Sequence, residues 1–222
     1  MPLSDPSPNI AGEETRALLI QAATEVFLHE GFRAARVKDI AELAGVRLSA
    51  INYHFGGKEG LYLAVLQFHA ALAMQHSPLP SLAAGEVPEV RFRLFVRAMV
   101  MRMLDPTSPS RIASLMVREA ANPTPALDIM FERFTKPQSA HLISLLREVM
   151  GEGVPHETLV RTALSIVAQS MVYVGMRPLV QKMQPGFYDR SDSLDALADH
   201  IATFSWAGVL ALAARGDEHE TS

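Results

Sequence analysis

The chain of 222 residues has no cysteine, one tryptophan and only 7% aromatic residues. Without cysteine there is no disulfide and no thiolate, which excludes a disulfide-stapled scaffold, a cysteine-ligated zinc and a cysteine nucleophile. His156-Glu157 is not followed by a second histidine at the spacing a helical zinc pair requires, and neither a Gly-x-Ser-x-Gly elbow nor a phosphate loop occurs. Gly56, Gly57 and Gly60 follow a helix-like segment rather than a strand, so they do not make a nucleotide loop. No catalytic residue, metal or cofactor is therefore expected, and an enzyme is the weakest reading. Strand-like alternation and internal repeats are also missing. The longest apolar run, about Thr162 to Met176, is interrupted by Gln169 and falls short of the roughly 20 residues of a membrane span. No basic-then-apolar leader opens the chain, so the expectation is a cytoplasmic protein without membrane attachment.

What is present is helical periodicity. Leu18, Leu19, Ala22, Ala23, Val26 and Phe27 recur at three- and four-residue steps, predicting a helix over about 14–30 that Gly31 ends. Lys58 to about His76 reads as a long helix with Leu61, Val65, Phe68 and Leu72 on one face. Further helices are expected at about 89–104, 109–121, 124–150, 155–175 and 192–214, with 185–191 as a loop. The fold class is all-α, in two parts. Residues 1–12 form a flexible arm, 13–62 a three-helix domain, 63–76 a connecting helix and 77–88 a Pro-containing linker. Residues 89–214 form the second helical domain and 215–222 a disordered tail.

The segment from Val37 to Phe55 carries the most chemistry. Gly45 follows an amphipathic turn where a left-handed helix stop is expected. Ile40, Ala41, Ala44, Val46, Ile51 and Phe55 have the spacing of two short helices packed across a tight turn, the second starting at Val46. With Ile51 at the centre of the buried side, a rotation of about 100° per residue carries Ser49, Ala50 and Tyr53 outward, with Asn52 on a flank. Such a face suits base edges: Asn bonds adenine at two atoms, Ser donates or accepts, and the Ala methyl meets a thymine methyl. Tyr53, His54 and Lys58 fall where phosphates would be met. The whole chain carries a net charge of −4, yet Arg33, Arg36, Lys38, Arg47 and Lys58 face only Asp39 and Glu42 within 31–58. A local basic patch of this kind fits a partner of double-stranded DNA bound with steep salt dependence.

Gly31-Phe32, Ile40-Ala41-Glu-Leu-Ala-Gly-Val46 and Tyr53-His54-Phe55-Gly-Gly-Lys58-Glu-Gly-Leu61 together resemble the DNA-binding domain of the TetR family of transcriptional regulators, over roughly 14–62. Ala50 to Tyr62 and the stretch Arg118-Glu-Ala-Ala-Asn-Pro-Thr-Pro-Ala-Leu-Asp128 are similar to its CecR-like branch. The resemblance implies base or groove contacts from Arg47, Ser49, Ala50 and Asn52 and backbone contacts from Lys38, Tyr53, His54 and Lys58, with Arg36 and Leu48 also expected among the DNA-binding residues. It also implies a homodimer built on the last two long helices. Two positions depart from the family: Arg36 stands where a hydroxyl residue usually caps the helix, and Arg47 where Ser is common.

The second part is rich in methionine. Met99, Met101, Met103, Met116, Met130, Met150, Met171 and Met176 are adaptable thioethers that fill either a core or a ligand pocket. Glu119, Gln169, Tyr173 and Trp206 are polar-bearing residues in apolar helices and need partners. A small apolar or amphipathic effector is expected to meet Met99, Met103, Met116, Glu119, Gln169 and Tyr173. The leading expectation is thus a repressor that binds a palindromic operator as a dimer and is released by that effector. The alternative is a DNA-binding regulator without an inducer, whose second domain serves dimerisation or a protein partner.

Overall fold

Helical periodicity governs the structure, a computed structural model that describes residues 8–79, 86–189 and 192–220. Among the described residues every regular element is helical: α1 (Pro8–Ala34), α2 (Val37–Leu43), α3 (Ser49–Phe55), α4 (Lys58–His76), α5 (Pro88–Leu104), α6 (Ile112–Ala121), α7 (Ala126–Met130), α8 (Lys136–Met150), α9 (His156–Gly175), α10 (Arg177–Met183) and α11 (Ser193–Glu220). The all-α expectation holds.

The chain forms two compact units. The first contains residues 1–71 and 114–130, the second residues 72–113 and 131–222. This differs from the expected boundaries. The end of α4 groups with the second unit, and Ser114–Met130, expected in the second domain, groups with the first. The physical reason lies in Glu119, whose carboxylate is buried in hydrogen bonds to Tyr62 and Thr124 of that same first unit.

In the first unit α1 packs on α2 and α3, and α2 on α3. Leu19, Ala23, Phe27, Ile40, Ile51, Leu61, Val65 and Leu66 are buried together as its core, each large side chain contributing about 1.5–3 kcal/mol. Leu18 and Phe68, which share the expected apolar faces of their helices, are exposed. Phe27 meets Tyr62 edge-on at 4.8 Å between centroids, and Phe32 lies 4.9 Å from the same ring. In the second unit α5, α8, α9 and α11 pack on one another. Phe92, Phe95, Val96, Leu142, Leu146, Leu159, Ile166, Leu197 and Ile201 form the core.

Several boundaries move. α1 begins at Pro8, inside the stretch expected as a flexible arm, because proline is tolerated in a first helical turn; residues 1–7 lie outside the described ones. Gly31, at φ 79° and ψ 168°, breaks α1 as expected, but another turn follows to Ala34. In the linker, residues 80–85 lie outside the described residues and α5 already begins at Pro88. α6 starts at Ile112 rather than at Pro109. The long helix expected over 124–150 is α7, a wider π turn over Phe131–Thr135, and α8. Pro137 offers no N–H and its ring would crowd the carbonyl four residues back, which accounts for the widened turn just before it. α10, not expected from the sequence, fills Arg177–Met183 with Pro178 in its first turn. Residues 185–189 are a turn, as expected for the loop, whose residues 190 and 191 lie outside the described set. α11 runs on through Glu220 over most of the expected disordered tail, residues 221–222 again lying outside.

One expectation about hydropathy is corrected. α9 and the Ser193–Ala214 part of α11 are long and apolar enough by length and composition to cross a membrane, with mean hydropathies of 1.2 and 1.3. Gln169 alone does not offset the apolar residues around it. Leu159, Ala163 and Ile166 of α9 and Leu197, Ala198, Ile201 and Ala202 of α11 lie in the core of the bundle.

Candidate nucleic-acid interface

The reading surface is built by one chain reversal. Gly45 adopts φ 67°, a conformation that costs a residue with a Cβ roughly 1 kcal/mol or more. Its N–H donates to the Glu42 carbonyl at 3.1 Å and that of Val46 to Ala41 at 3.0 Å, closing α2. The second helix then starts at Ser49, not at Val46 as predicted. Arg47 and Leu48 form the turn before it, their carbonyls accepting from Ala50 at 2.9 Å and Ile51 at 3.2 Å. Val46, Arg47 and Leu48 are spent on the turn, Val46 half-buried directly after the left-handed glycine.

At the end of α3 a second glycine is required for space. A Cβ on Gly60 would stand 1.9 Å from the Phe55 carbonyl oxygen, so α4 starts in close contact with the end of α3 only because this position has no side chain.

Within α3, Ile51 is 1% exposed and Tyr53 85% exposed. Ser49 and Asn52 are exposed and Ala50 is half-buried. The predicted outward positions of Ser49 and Tyr53 are the observed ones, but Ala50, expected outward, is half-buried and Asn52, expected on a flank, is exposed, because both stand about 100° from Ile51 on either side of the helix. Arg36, Lys38, Arg47 and Leu48 are exposed around it. Lys38 approaches Glu42 at 3.6 Å, a solvent-exposed pair worth at most about 1 kcal/mol that leaves the ammonium reachable. Arg36 occupies the N-cap of α2 at φ −106° and ψ 131° and makes no side-chain capping bond, as its departure from the family pattern implied. His54 is half-buried, edge-on to Tyr53 at 4.9 Å.

Lys58, expected at a phosphate, is also engaged within the fold. Its ammonium donates to the Arg33 carbonyl at 3.2 Å and sits 4.8 Å from the centre of the Phe32 ring. Burial lowers its pKa below the usual lysine value, with the nearby Glu30 acting in the opposite direction. It braces the start of α4 through an exposed hydrogen bond that uses one of the three ammonium hydrogens. The sequence reading missed Arg16, whose guanidinium lies 5.3 Å from the Phe55 ring on an exposed part of α1. Nothing in the pattern signals this, since Arg16 and Phe55 come together only through tertiary packing.

The residues expected to gather around an effector are not brought into one pocket. Met99 is a buried core residue of α5 and Met103 packs partly buried against the same core. Gln169 donates to Ser205 Oγ at 2.8 Å and to the Ser165 carbonyl at 3.3 Å. Tyr173 stacks on Phe187 at 5.3 Å. Met116 and Glu119 belong to the first unit. There Glu119, 1% exposed, accepts from Tyr62 Oη at 2.6 Å and from the Thr124 N–H and Oγ1 at 2.7 and 2.8 Å. Burial, and then the hydrogen bond to Glu119, holds the Tyr62 phenol well above the ordinary tyrosine value. The partner requirement noted for Glu119 is thus met inside the protein. Two clefts flank this pair: one of about 200 Å³ lined by Phe27, Gly31, Arg118 and Asn122 among others, and one of about 180 Å³ beside Thr124, Ala126 and Ile129. Among the described residues no group of three His, Cys, Asp or Glu side chains is arranged for a metal.

A short helix stopped by a left-handed glycine, followed by one that turns small polar side chains outward beside exposed arginines, defines a helix-turn-helix DNA-binding regulator. Residues 19–65 match the profile of the bacterial regulatory proteins of the tetR family, and residues 88–209 that of the C-terminal domain of the HTH-type transcriptional dual regulator CecR. The chain belongs to the TetR family of transcriptional regulators and carries a CecR-type C-terminal domain. It is 30% identical over 156 residues to the dual regulator CecR of Shigella flexneri, covering 65% of this chain and 68% of that protein. To the transcriptional regulator SrpR of Pseudomonas putida it is 27% identical over 179 residues, 78% of this chain and 80% of the relative. Among solved structures, AibR in complex with isovaleryl coenzyme A and operator DNA superposes with a TM-score of 0.64 at 16% identity, covering 86% of this chain and 97% of that one. At that identity the likeness establishes the shared fold. The family is one of regulators rather than enzymes.

Proposed function

We propose that this protein is a cytoplasmic, dimeric, ligand-responsive repressor that binds a palindromic operator and is released from it by a small apolar or amphipathic molecule. The observation that carries the reading is the outward presentation of Ser49, Asn52 and Tyr53 on α3 around the buried Ile51. In this reading Arg47, Leu48, Ser49, Ala50 and Asn52 meet the groove, while Arg36, Lys38, Tyr53 and His54 hold the phosphates. Arg16 joins the phosphate contacts. Lys58 stands with them as well, its ammonium shared with the Arg33 carbonyl and the Phe32 ring.

Dimerisation is supported by apolar surface that the bundle leaves uncovered. Leu164 on α9 is 63% exposed and Phe204 on α11 67% exposed, with Val172, Leu210 and Leu212 also exposed and the small Ala168 and Gly208 between them. A patch of this type is characteristic of an interface, and two-fold symmetry would set two recognition helices about one DNA turn apart. The effector is supported by the AibR complex, which holds both an acyl-coenzyme A and operator DNA.

The second reading, a regulator without inducer, is favoured by one observation: Gln169 and Glu119, the polar groups expected to await a ligand, are satisfied within the chain. Thermal-shift screening separates the two, since an occupied site raises stability with ligand concentration. The repressor reading itself is tested by fluorescence anisotropy on a labelled fragment from upstream of the protein's own gene. Binding that prefers this fragment over random DNA and weakens steeply with salt is expected; equal affinity for both would end it.

A further inference from the structure

The larger of the two clefts beside Tyr62 lies wholly within the first unit, and its walls carry two chemistries. α1 breaks at Gly31, and Phe27 before the break and Phe32 after it both meet the Tyr62 ring, at 4.8 and 4.9 Å between centroids. These three rings and Leu115 make the apolar lining. The polar lining comes from the end of α6, where Arg118 and Asn122 stand four residues apart and so share one face, the Asn122 N–H continuing the helical turn to the Arg118 carbonyl at 3.0 Å. The Arg118 guanidinium reaches toward α1. Its Nη2 donates to the His29 carbonyl at 3.4 Å, a long bond, and its Nη1 lies 3.7 Å from where a Cβ on Gly31 would stand. The rest of its five N–H donors are open to a ligand.

The carboxylates of the cleft are engaged elsewhere. Glu119 accepts from Tyr62 and Thr124, and Glu30 and Lys58 offset one another electrostatically. Arg33 and Arg118, both exposed, have no ion-pair partner among the described residues. An anion therefore suits the cleft better than a cation. Its volume of about 200 Å³ is below the roughly 300–1,000 Å³ of sites for drug-sized ligands, which limits a guest to about one ring. We propose that this cleft is the effector site, and that the effector is a single-ring aromatic monocarboxylate, its ring against Phe32, Tyr62 and Leu115 and its carboxylate on Arg118 and Asn122. A guanidinium edge matches the two oxygens of a carboxylate, the Asn122 amide adds an N–H donor, and the aromatic lining suits an aromatic body. Phe32 lines the cleft and the next residue, Arg33, holds Lys58 at the start of α4, so a guest acts on the frame of the reading motif itself.

This inference rests on the effector-responsive reading and gives its ligand a place and a chemical class. The test is calorimetry and thermal shift on the full chain with sodium benzoate, set against benzylammonium chloride, benzyl alcohol and sodium acetate. Benzoate is expected to raise the melting temperature with concentration and to bind at least about tenfold more tightly than the other three. Arg118→Gln, at an exposed position, is expected to weaken benzoate about tenfold through loss of a charged hydrogen-bond donor. If that variant does not fold, Asn122→Ala takes its place with the same expected direction. Glu30→Gln removes a negative charge from the cleft and is expected to strengthen benzoate about twofold. No binding of benzoate, an equal or stronger response to any of the other three probes, unchanged affinity in a folded Arg118→Gln or Asn122→Ala variant, or weaker binding in Glu30→Gln would overturn the proposal. Operator binding measured in parallel separates the two levels. Specific DNA binding that benzoate does not weaken refutes the effector site alone, whereas absence of specific DNA binding in the unsubstituted protein refutes the functional reading.

Discussion

Single side chains decide two separate properties. At Glu119 the carboxylate accepts three hydrogen bonds from Tyr62 and Thr124 in a nearly fully buried position. Removing it leaves the Tyr62 hydroxyl and the Thr124 N–H to be satisfied by other means, so Glu119→Ala is expected to cost about 2 kcal/mol in urea unfolding. The same contact sets an alkaline limit. Because burial and then Glu119 hold the Tyr62 phenol above its ordinary value of 10.0, the native state keeps that proton more tightly than the unfolded chain. The resulting stabilisation is complete below about pH 10 and declines as the pH rises beyond it. Tyr62→Phe is expected to flatten the fall in melting temperature above pH 10; an unchanged slope would assign that fall to other groups. On the reading surface, Lys38→Ala is expected to lower the slope of log affinity against log salt by about one phosphate's worth, with little change in fold stability, since its pair with Glu42 is exposed.

At the level of elements, the two-helix motif was largely legible in the sequence, and the reason is local. Gly45 has to be left-handed, Ile51 has to be buried, and a helical period then fixes where Ser49, Asn52 and Tyr53 point. The start of α3 was misplaced because periodicity does not distinguish a turn residue such as Val46 from a first helical one. α10 and the π turn before α8 were not legible, since each depends on how a proline, Pro178 or Pro137, is accommodated rather than on apolar spacing. Two substitutions test the local account. Arg36 occupies an N-cap position with extended backbone and no capping bond, so Arg36→Ser is expected to stabilise the protein by about 0.5–1 kcal/mol in thermal unfolding. Gly60→Ala drives a methyl into the Phe55 carbonyl and is expected to destabilise by about 2 kcal/mol, with disturbed DNA binding.

For the whole molecule, what sequence could not supply was partition. Met99, Met103, Met116, Glu119, Gln169 and Tyr173 share a chemistry but not a place: the first two sit in or against the second unit's core, Met116 and Glu119 belong to the first unit, and the last two are engaged within the chain. Composition identifies residue types able to meet a ligand; only tertiary structure shows which are already occupied, and the cleft that gathers Phe32, Arg118 and Asn122 had no signal at that level. Exposed Leu164 and Phe204 lead to an assembly test. Leu164→Asp with Phe204→Asp is expected to give a folded monomer in analytical ultracentrifugation with greatly reduced operator affinity; a persistent dimer would place the interface elsewhere. The most direct measurement of the central claim, that the face of α3 around Ser49, Asn52 and Tyr53 reads DNA, is nuclease footprinting over the gene's own upstream region. Protection of a palindrome with half-sites about one helical turn apart, lost in the folded Asn52→Ala, Tyr53→Ala double variant, is the expected result. Absence of a footprint, or equal protection by the double variant, would contradict it.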